Sequence, residues 1–239
     1  MKIALIGYGK MGKAIEEIAV QKGHAIVFKI NDENLSDLNV NNLQQCDVAI
    51  EFTNPESAIT NMKICIEAGV PVVCGSTGWV ARESEITDYC NNKKGTLLYS
   101  SNFSIGVNIF FEINRKLAQL MSPQKEYNVA IEEIHHTQKK DAPSGTAISL
   151  AQQVIERNNS KQNWILNGNP AETEINIISK RIDPAPGTHH VKYSSEIDDI
   201  EIIHTAHSRK GFASGALIAA EFLVGKKGIF SMNDVLKIN

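Results

Sequence analysis

The chain has 239 residues, 42% of them apolar and 21% charged, enough for one large or two small domains with a core and too balanced for a disordered chain. Its formal net charge is −3, which excludes a polyanion binder over the whole surface and leaves room only for local basic sites. Cys46, Cys65, Cys74 and Cys90 lie far apart with no C-x-x-C pair; the opening "MKIALIGYG" is too short in apolar length for a secretory segment and no stretch is long enough to span a membrane, so reduced thiols and a cytoplasmic protein are expected.

Lys2–Gly7, "KIALIG", is a continuous apolar run ending on glycine, as in a strand buried on both faces of a parallel sheet. "MGKAIEEIAVQKG" follows with Ile15, Ile18 and Ala19 at helical spacing and a stop at Gly23. "HAIVFKI" and "DVAIEFT" read as the next strands, and Pro55 then opens a helix reaching Ala68. "GVPVVCGST" and "GTLLYSSN" are two more strands, separated by a helix over Glu83 to Asn91. The polar segments "NDENLSDLNVNNLQQ" and "NNSKQN" are expected as exposed loops. This alternation predicts an α/β fold, with a Rossmann-type dinucleotide-binding domain over residues 1–104.

The pattern changes after Phe103. A long helix is predicted over Gly106 to Met121, followed by strands at "YNVAIEEIH", "TEINIISKRI", "HHVKYSS" and "IEIIHTAH". One helix, Gly145 to Glu156, carries Ala147, Leu150, Ala151, Val154 and Ile155 on one face. Residues 105–213 therefore read as an α+β substrate domain with a mixed sheet. The tail, residues 214–239, returns to helix, is apolar on more than one face, and is expected to pack back on the first domain.

"GYGKMG" has G-x-G-x-x-G spacing at Gly7, Gly9 and Gly12. The motif follows a strand and opens a helix, the context in which its backbone N–H groups receive a pyrophosphate. Gly7, Tyr8, Gly9, Lys10, Met11 and Gly12 are therefore candidate cofactor contacts. The ribose-binding acid, about twenty residues further on, falls at Asn31 or Asp32. A carboxylate there disfavours a 2′-phosphate, which Lys10 and Lys29 would partly offset, so NADH and NADPH both stay open. Gly75, Ser76 and Thr77, and Ser100, Ser101, Asn102 and Phe103, end two parallel strands at the edge where ligands of such sheets bind.

The segment "EEIHHTQKKDAPSGTA", Glu132 to Ala147, gathers His135, His136, Lys139 and Lys140 ahead of a predicted helix start. Adjacent histidines at a strand end point to opposite sides. Asp141 is expected as an Asx-type cap with Pro143 in the first turn, leaving Ser144, Gly145 and Thr146 with free N–H groups beside the cations. That combination reads as a carboxylate-binding pocket with acid–base groups. A metal is not expected, because the paired histidines diverge and neither cysteine nor H-E-x-x-H spacing supports zinc.

These residues resemble the 4-hydroxy-tetrahydrodipicolinate reductase (dihydrodipicolinate reductase) family, on "EEIHHTQKKDAPSGTA" together with "GYGKMG", "EFTNPES", "GSTG", "SSNFSIGVN" and "HTAHSRKGFASGA". The resemblance implies an NADH- or NADPH-dependent reduction of a cyclic imine dicarboxylate in the diaminopimelate route to lysine, by a homotetramer built through the second-domain sheets. It implies catalytic roles for His135 and Lys139, substrate binding by His136, Ser144, Gly145 and Thr146, and Asp32 as the ribose acid. Which of His135 and Lys139 moves which proton is left open. The family's Gly-Glu-His-Thr strand here runs Gly187-Thr188-His189-His190. Two rivals remain, another nicotinamide-dependent dehydrogenase and a non-catalytic NAD(H)-sensing module; neither needs the paired histidine–lysine segment.

Overall fold

The computed structural model describes residues 1–208 and 210–238. The chain divides into two compact units, Met1–Ile105 with Lys210–Asn239, and Gly106–Arg209.

In the first unit, β1 (Lys2–Ile6), α1 (Lys10–Gln21), β2 (Ala25–Ile30), a short α2 (Val40–Leu43), β3 (Val48–Glu51), α3 (Pro55–Glu67), β4 (Val72–Cys74), α4 (Glu83–Asn92) and β5 (Thr96–Tyr99) follow one another. The strands form a parallel sheet that is completed by a late strand, in the order β11-β5-β4-β3-β1-β2. Every residue of β3 and β4 is buried, as expected where helices cover both faces. One layer of core joins Ala4, Ile6, Ala49 and Val72 to α3 and α4 through Ile59, Met62 and Ile86. The other joins Ile3, Leu5, Val48 and Val73 to α1 through Ile15 and Ala19, and to α7 (Lys210–Leu223) through Ala213, Leu217 and Ala220. Asn54 caps α3, its side chain accepting from the Ser57 amide, with Pro55 at the first helical position.

Two local expectations fail here. The segment after β2 is not wholly an exposed loop, for Leu43 of α2 is fully buried against the sheet. The tail is not wholly helical either. After α7, β11 (Gly228–Phe230) pairs in parallel with β5 as an edge strand, ahead of α8 (Met232–Leu236). Three residues are too few to show a period, and this strand takes its order from its neighbour.

The second unit opens with α5 (Ile105–Met121). A mixed sheet follows, ordered β10-β9-β6-β8-β7, from β6 (Asn128–His135), β7 (Asn163–Leu166), β8 (Glu174–Arg181), β9 (Gly187–Ser194) and β10 (Asp199–Ala206). β6 runs parallel to β8 and antiparallel to β9. α6 (Gly145–Arg157) lies on one face with α5; Ala147, Leu150, Ala151 and Val154 pack there on Val129, Ile131, Ile175, Ile177, Val191 and Tyr193. The "NNSKQN" segment is not simply solvated, because Asn158 and Lys161 are buried and the Lys161 ammonium donates to the Glu172 carbonyl at 2.6 Å.

Candidate active site

The face of the mixed sheet that packs on α6 is apolar at one end and polar at the other. Along β6 the buried phase runs Val129, Ile131, Glu133, His135; along β8 it runs Ile175, Ile177, Ser179, Arg181; along β9 it runs Tyr193, Val191, His189, Gly187. Register aligns the polar ends, pairing Glu133 with Ser179 and His189, and His135 with Arg181. Period-two alternation and strand register together gather a carboxylate, two imidazoles and a guanidinium into one patch.

Glu133 is fully buried. One carboxylate oxygen accepts from Ser179 Oγ at 2.6 Å and Arg181 Nη2 at 3.2 Å. The other accepts from the Ser144 amide at 3.0 Å and lies 3.5 Å from His135 Nε2 and 3.8 Å from His189 Nε2. Burial by itself would raise this carboxyl's pKa; hydrogen bonds from His135, Ser144 and Ser179 outweigh it and hold the group far below the usual carboxylate range. His189 goes the other way. Its burial, and then the neighbouring His135, pull it down to about 3, so the short approach to Glu133 is made by a neutral ring and is not an ion pair.

Arg181 also clamps the loop that follows β6. Its guanidinium donates to the Lys139 carbonyl at 3.3 Å and the Asp141 carbonyl at 2.5 Å. The Lys139 ammonium meets both oxygens of Asp141, at 2.9 and 2.8 Å, and that hydrogen bond is the main reason the Asp141 carboxyl sits low. Asp141 is thus a partner of Lys139 and not the helix cap. The cap of α6 is Ser144, whose hydroxyl accepts from the Ala147 amide at 3.2 Å, while Pro143 precedes the cap and stays outside the first turn. The Ser144 amide is not free either, being held by Glu133. Gly145 and Thr146 supply the first two amides of the helix, which have no intrahelical acceptor by geometry. His136 lies one residue past the end of β6, with its Nδ1 buried and without a partner among the described residues. Lys140 is exposed.

Glu133, His135 and His189 place three donor atoms within 4.8 Å of one another. Their surroundings do not suit a cation: Arg181 is bonded to the same carboxylate, and among the described residues His189 Nδ1 has no acceptor to orient the ring as a metal ligand requires.

In the first unit the sheet order reverses between β1 and β3, the switch point at which ligands of open α/β sheets bind. Gly7 has φ +92°, and a Cβ there would fall 2.1 Å from the Phe52 carbonyl oxygen, so only glycine permits this approach of the two strand ends. The Gly7 and Tyr8 amides both donate to the Ile30 carbonyl at 2.9 Å. Gly9 caps α1 with no side-chain bond, and a Cβ on it would enter open space. A glycine facing open space at an uncapped helix start is the fit a dinucleotide pyrophosphate requires. Lys10 is exposed and Met11 half-buried at the same turn.

Tyr8 hydrogen-bonds Glu16, and Lys29 pairs with Glu16 at 2.5 Å, so Lys29 is already engaged by a carboxylate. Asp32 is exposed two residues beyond β2, next to an Asn31–Asn34 turn. Gly75 lies against the Phe52 ring. The buried Ser76 hydroxyl accepts from the Thr53 amide at 2.8 Å, while Thr77 is exposed. Ser100 and Asn102 bond one another, Ser101 is exposed, and Phe103 is buried in core contact with Phe52. Glu51, absent from the sequence-level set, is fully buried and accepts from the Thr53 amide and Cys74 Sγ, both at 3.1 Å. All four cysteines are free and buried, and among the described residues no helix is long and apolar enough to cross a membrane.

A parallel dinucleotide-type sheet with a glycine loop at its switch point, accompanied by an acid–base cluster in a second unit, defines the class of nucleotide-fold oxidoreductases. A model of the dihydrodipicolinate reductase N-terminus matches residues 1–103, and one of the dihydrodipicolinate reductase C-terminus matches residues 106–236. The chain belongs to the dihydrodipicolinate reductase family. The 4-hydroxy-tetrahydrodipicolinate reductase of Christiangramia forsetii is 50% identical over 236 residues, covering 99% of this chain and 98% of that one. Its counterpart from Methanosarcina acetivorans is 37% identical over 240 residues, covering 98% and 88%. Among solved structures, a dipicolinate-bound dihydrodipicolinate reductase from a Paenisporosarcina species covers 97% of each chain with a TM-score of 0.75 at 24% identity. An amine dehydrogenase from Mycobacterium smegmatis shares the fold at a TM-score of 0.60 and 11% identity, covering 96% of this chain and 94% of that one.

Proposed function

We propose that the chain is a 4-hydroxy-tetrahydrodipicolinate reductase, which uses NADH or NADPH to convert a cyclic imine dicarboxylate into tetrahydrodipicolinate. The observation that carries this reading is the convergence of His135 and the start of α6 on one buried carboxylate, Glu133, to which Arg181 also ties the backbone of Lys139. Bound NADH or NADPH supplies the hydride. The residues of the chain do the rest. Gly145 and Thr146, at the positive end of α6, receive one substrate carboxylate through backbone N–H groups and the Thr146 hydroxyl. His136 contributes a further substrate contact. Lys139 exchanges its Asp141 partner for the negative charge that develops on the substrate, and His135 holds the proton that the substrate takes up. Gly7 to Gly12, Gly75 to Thr77 and Ser100 to Phe103 bind the cofactor, with Asp32 on the ribose.

The mixed sheet leaves Ala130, Ile134, Ile178 and Ile203 on the face away from α6, and Ile203 is 53% exposed. We assign that face to a homotetramer of this chain, to be tested by light scattering on the eluting protein, where a monomer would refute it. For the catalytic assignment, His135→Ala and Lys139→Ala are each expected to lower turnover by at least about a hundredfold, the scale of a lost acid–base group. Cofactor affinity should persist, since the glycine loop belongs to the other unit. Near-normal turnover in both variants would remove the assignment.

A further inference from the structure

We infer that Glu133 is a positioning residue, which anchors His135 through Nε2 and so assigns proton transfer to Nδ1 of that ring. The inference rests on the reductase reading of His135 and deepens it.

The Glu133 carboxylate can only accept, and that fixes which nitrogen of His135 carries the hydrogen turned toward it. The Ser144 hydroxyl accepts from the Ala147 amide and lies 3.1 Å from His189 Nε2. His135 Nε2 lies 3.4 Å from His189 Nε2 and 3.5 Å from Glu133, whose ionised carboxylate requires a donor there. This is the outer limit of a hydrogen bond, and such contacts run long in ligand-free sites and tighten on binding. The carboxylate itself cannot swing away, because Ser179, Arg181 and the Ser144 amide hold its two oxygens. With Nε2–H turned inward, Nδ1 is the atom left for the substrate: the imidazolium gives up its Nδ1 proton and returns to the neutral Nε2–H ring held by Glu133. The ring's Cε1–Nδ1 edge lies over Gly187, where an added Cβ would come within 2.9 Å of Cε1 and 3.3 Å of Nδ1. A bare Cα at that position makes room for this edge of the ring. The arrangement is that of a buried acid fixing the tautomer of a catalytic imidazole.

Glu133→Gln keeps the shape and removes the charge. In steady-state assays with freshly prepared 4-hydroxy-tetrahydrodipicolinate and NADH, kcat is expected to fall at least about twentyfold, while KM and NADH affinity stay within about threefold. Nitrogen-15 spectra should show the neutral His135 ring leaving the Nε2–H form for a mixture of tautomers. In a His135→Ala background the Glu133→Gln change should slow turnover by no more than about twofold, because its effect runs through that ring. Losses that multiply in the double variant, or an unchanged tautomer, would overturn the inference while leaving the reductase reading intact. Near-normal turnover in His135→Ala alone would overturn the inference together with the catalytic role of His135. Should Glu133→Gln not fold, Ser179→Ala removes one anchor of the carboxylate; a loss of about threefold to tenfold that disappears in the His135→Ala background supports the role, and one that persists there refutes it.

Discussion

Replacing Gly12 with alanine tests whether the glycine loop is built for a bound dinucleotide. Gly12 is buried in the first turn of α1, and its Cβ would lie 2.7 Å from the Gly7 carbonyl oxygen. That is about 0.7 Å inside the 3.4 Å at which ordinary contact begins. The obstacle is backbone, so either α1 or the end of β1 must move. Overpacking of this kind costs about 1–3 kcal/mol of stability. The same shift takes the first amides of α1 out of line with a pyrophosphate. Losing the equivalent of one charge-assisted hydrogen bond, about 1.5–3 kcal/mol, weakens NADH binding roughly tenfold to 150-fold. Calorimetric titration of NADH, with a thermal melt of the same sample, measures both effects. A folded Gly12→Ala protein that binds NADH as tightly as the wild type would show that the loop is an ordinary strand-to-helix turn.

Two further outcomes are expected. Asp32→Ala should raise the ratio of NADPH to NADH efficiency, because the exposed carboxylate after β2 repels a 2′-phosphate and Lys29 is already paired with Glu16; an unchanged ratio in steady-state kinetics would reduce Asp32 to a solvated loop acid. Thr146→Val should weaken binding of pyridine-2,6-dicarboxylate by about 1.5–3 kcal/mol, the range for a hydrogen bond to a charged group, and leave NADH affinity of the free protein alone; titration of both ligands would contradict the carboxylate site if inhibitor affinity held while NADH affinity fell.

Much of the fold was legible because alternating apolar runs and amphipathic helices are local signals. "KIALIG" announces β1, and the glycine spacing announces the turn into α1. β7 and β11, four and three residues long, are too short to carry a period, and they form because a neighbouring strand offers an unpaired edge. Leu43 shows a different limit: one apolar residue in a polar stretch is enough to bring α2 down onto the core.

At the site, His135 and Lys139 were legible as residue types in an unusual cluster. Glu133 was not singled out, although strand phase contained the signal. Counting by two from Val129 and Ile131 puts a carboxylate in the buried row, a position that demands partners. Ser179, Arg181 and His189 sit in the matching rows of β8 and β9, but their convergence depends on strand order, which no local pattern states. The helix cap was misplaced for a chemical reason. Asp141 and Ser144 are both good caps, and Lys139 recruits the first of them.

The central claim, that this chain reduces a cyclic imine dicarboxylate with a nicotinamide cofactor, is tested most directly by mixing the purified protein with NADH and freshly prepared 4-hydroxy-tetrahydrodipicolinate and following the loss of reduced-nicotinamide absorbance. The account predicts saturable oxidation that requires the substrate, is suppressed by pyridine-2,6-dicarboxylate, and is lost in His135→Ala. Protein that binds NADH yet leaves it unoxidised with this substrate, and likewise with NADPH in its place, would contradict it.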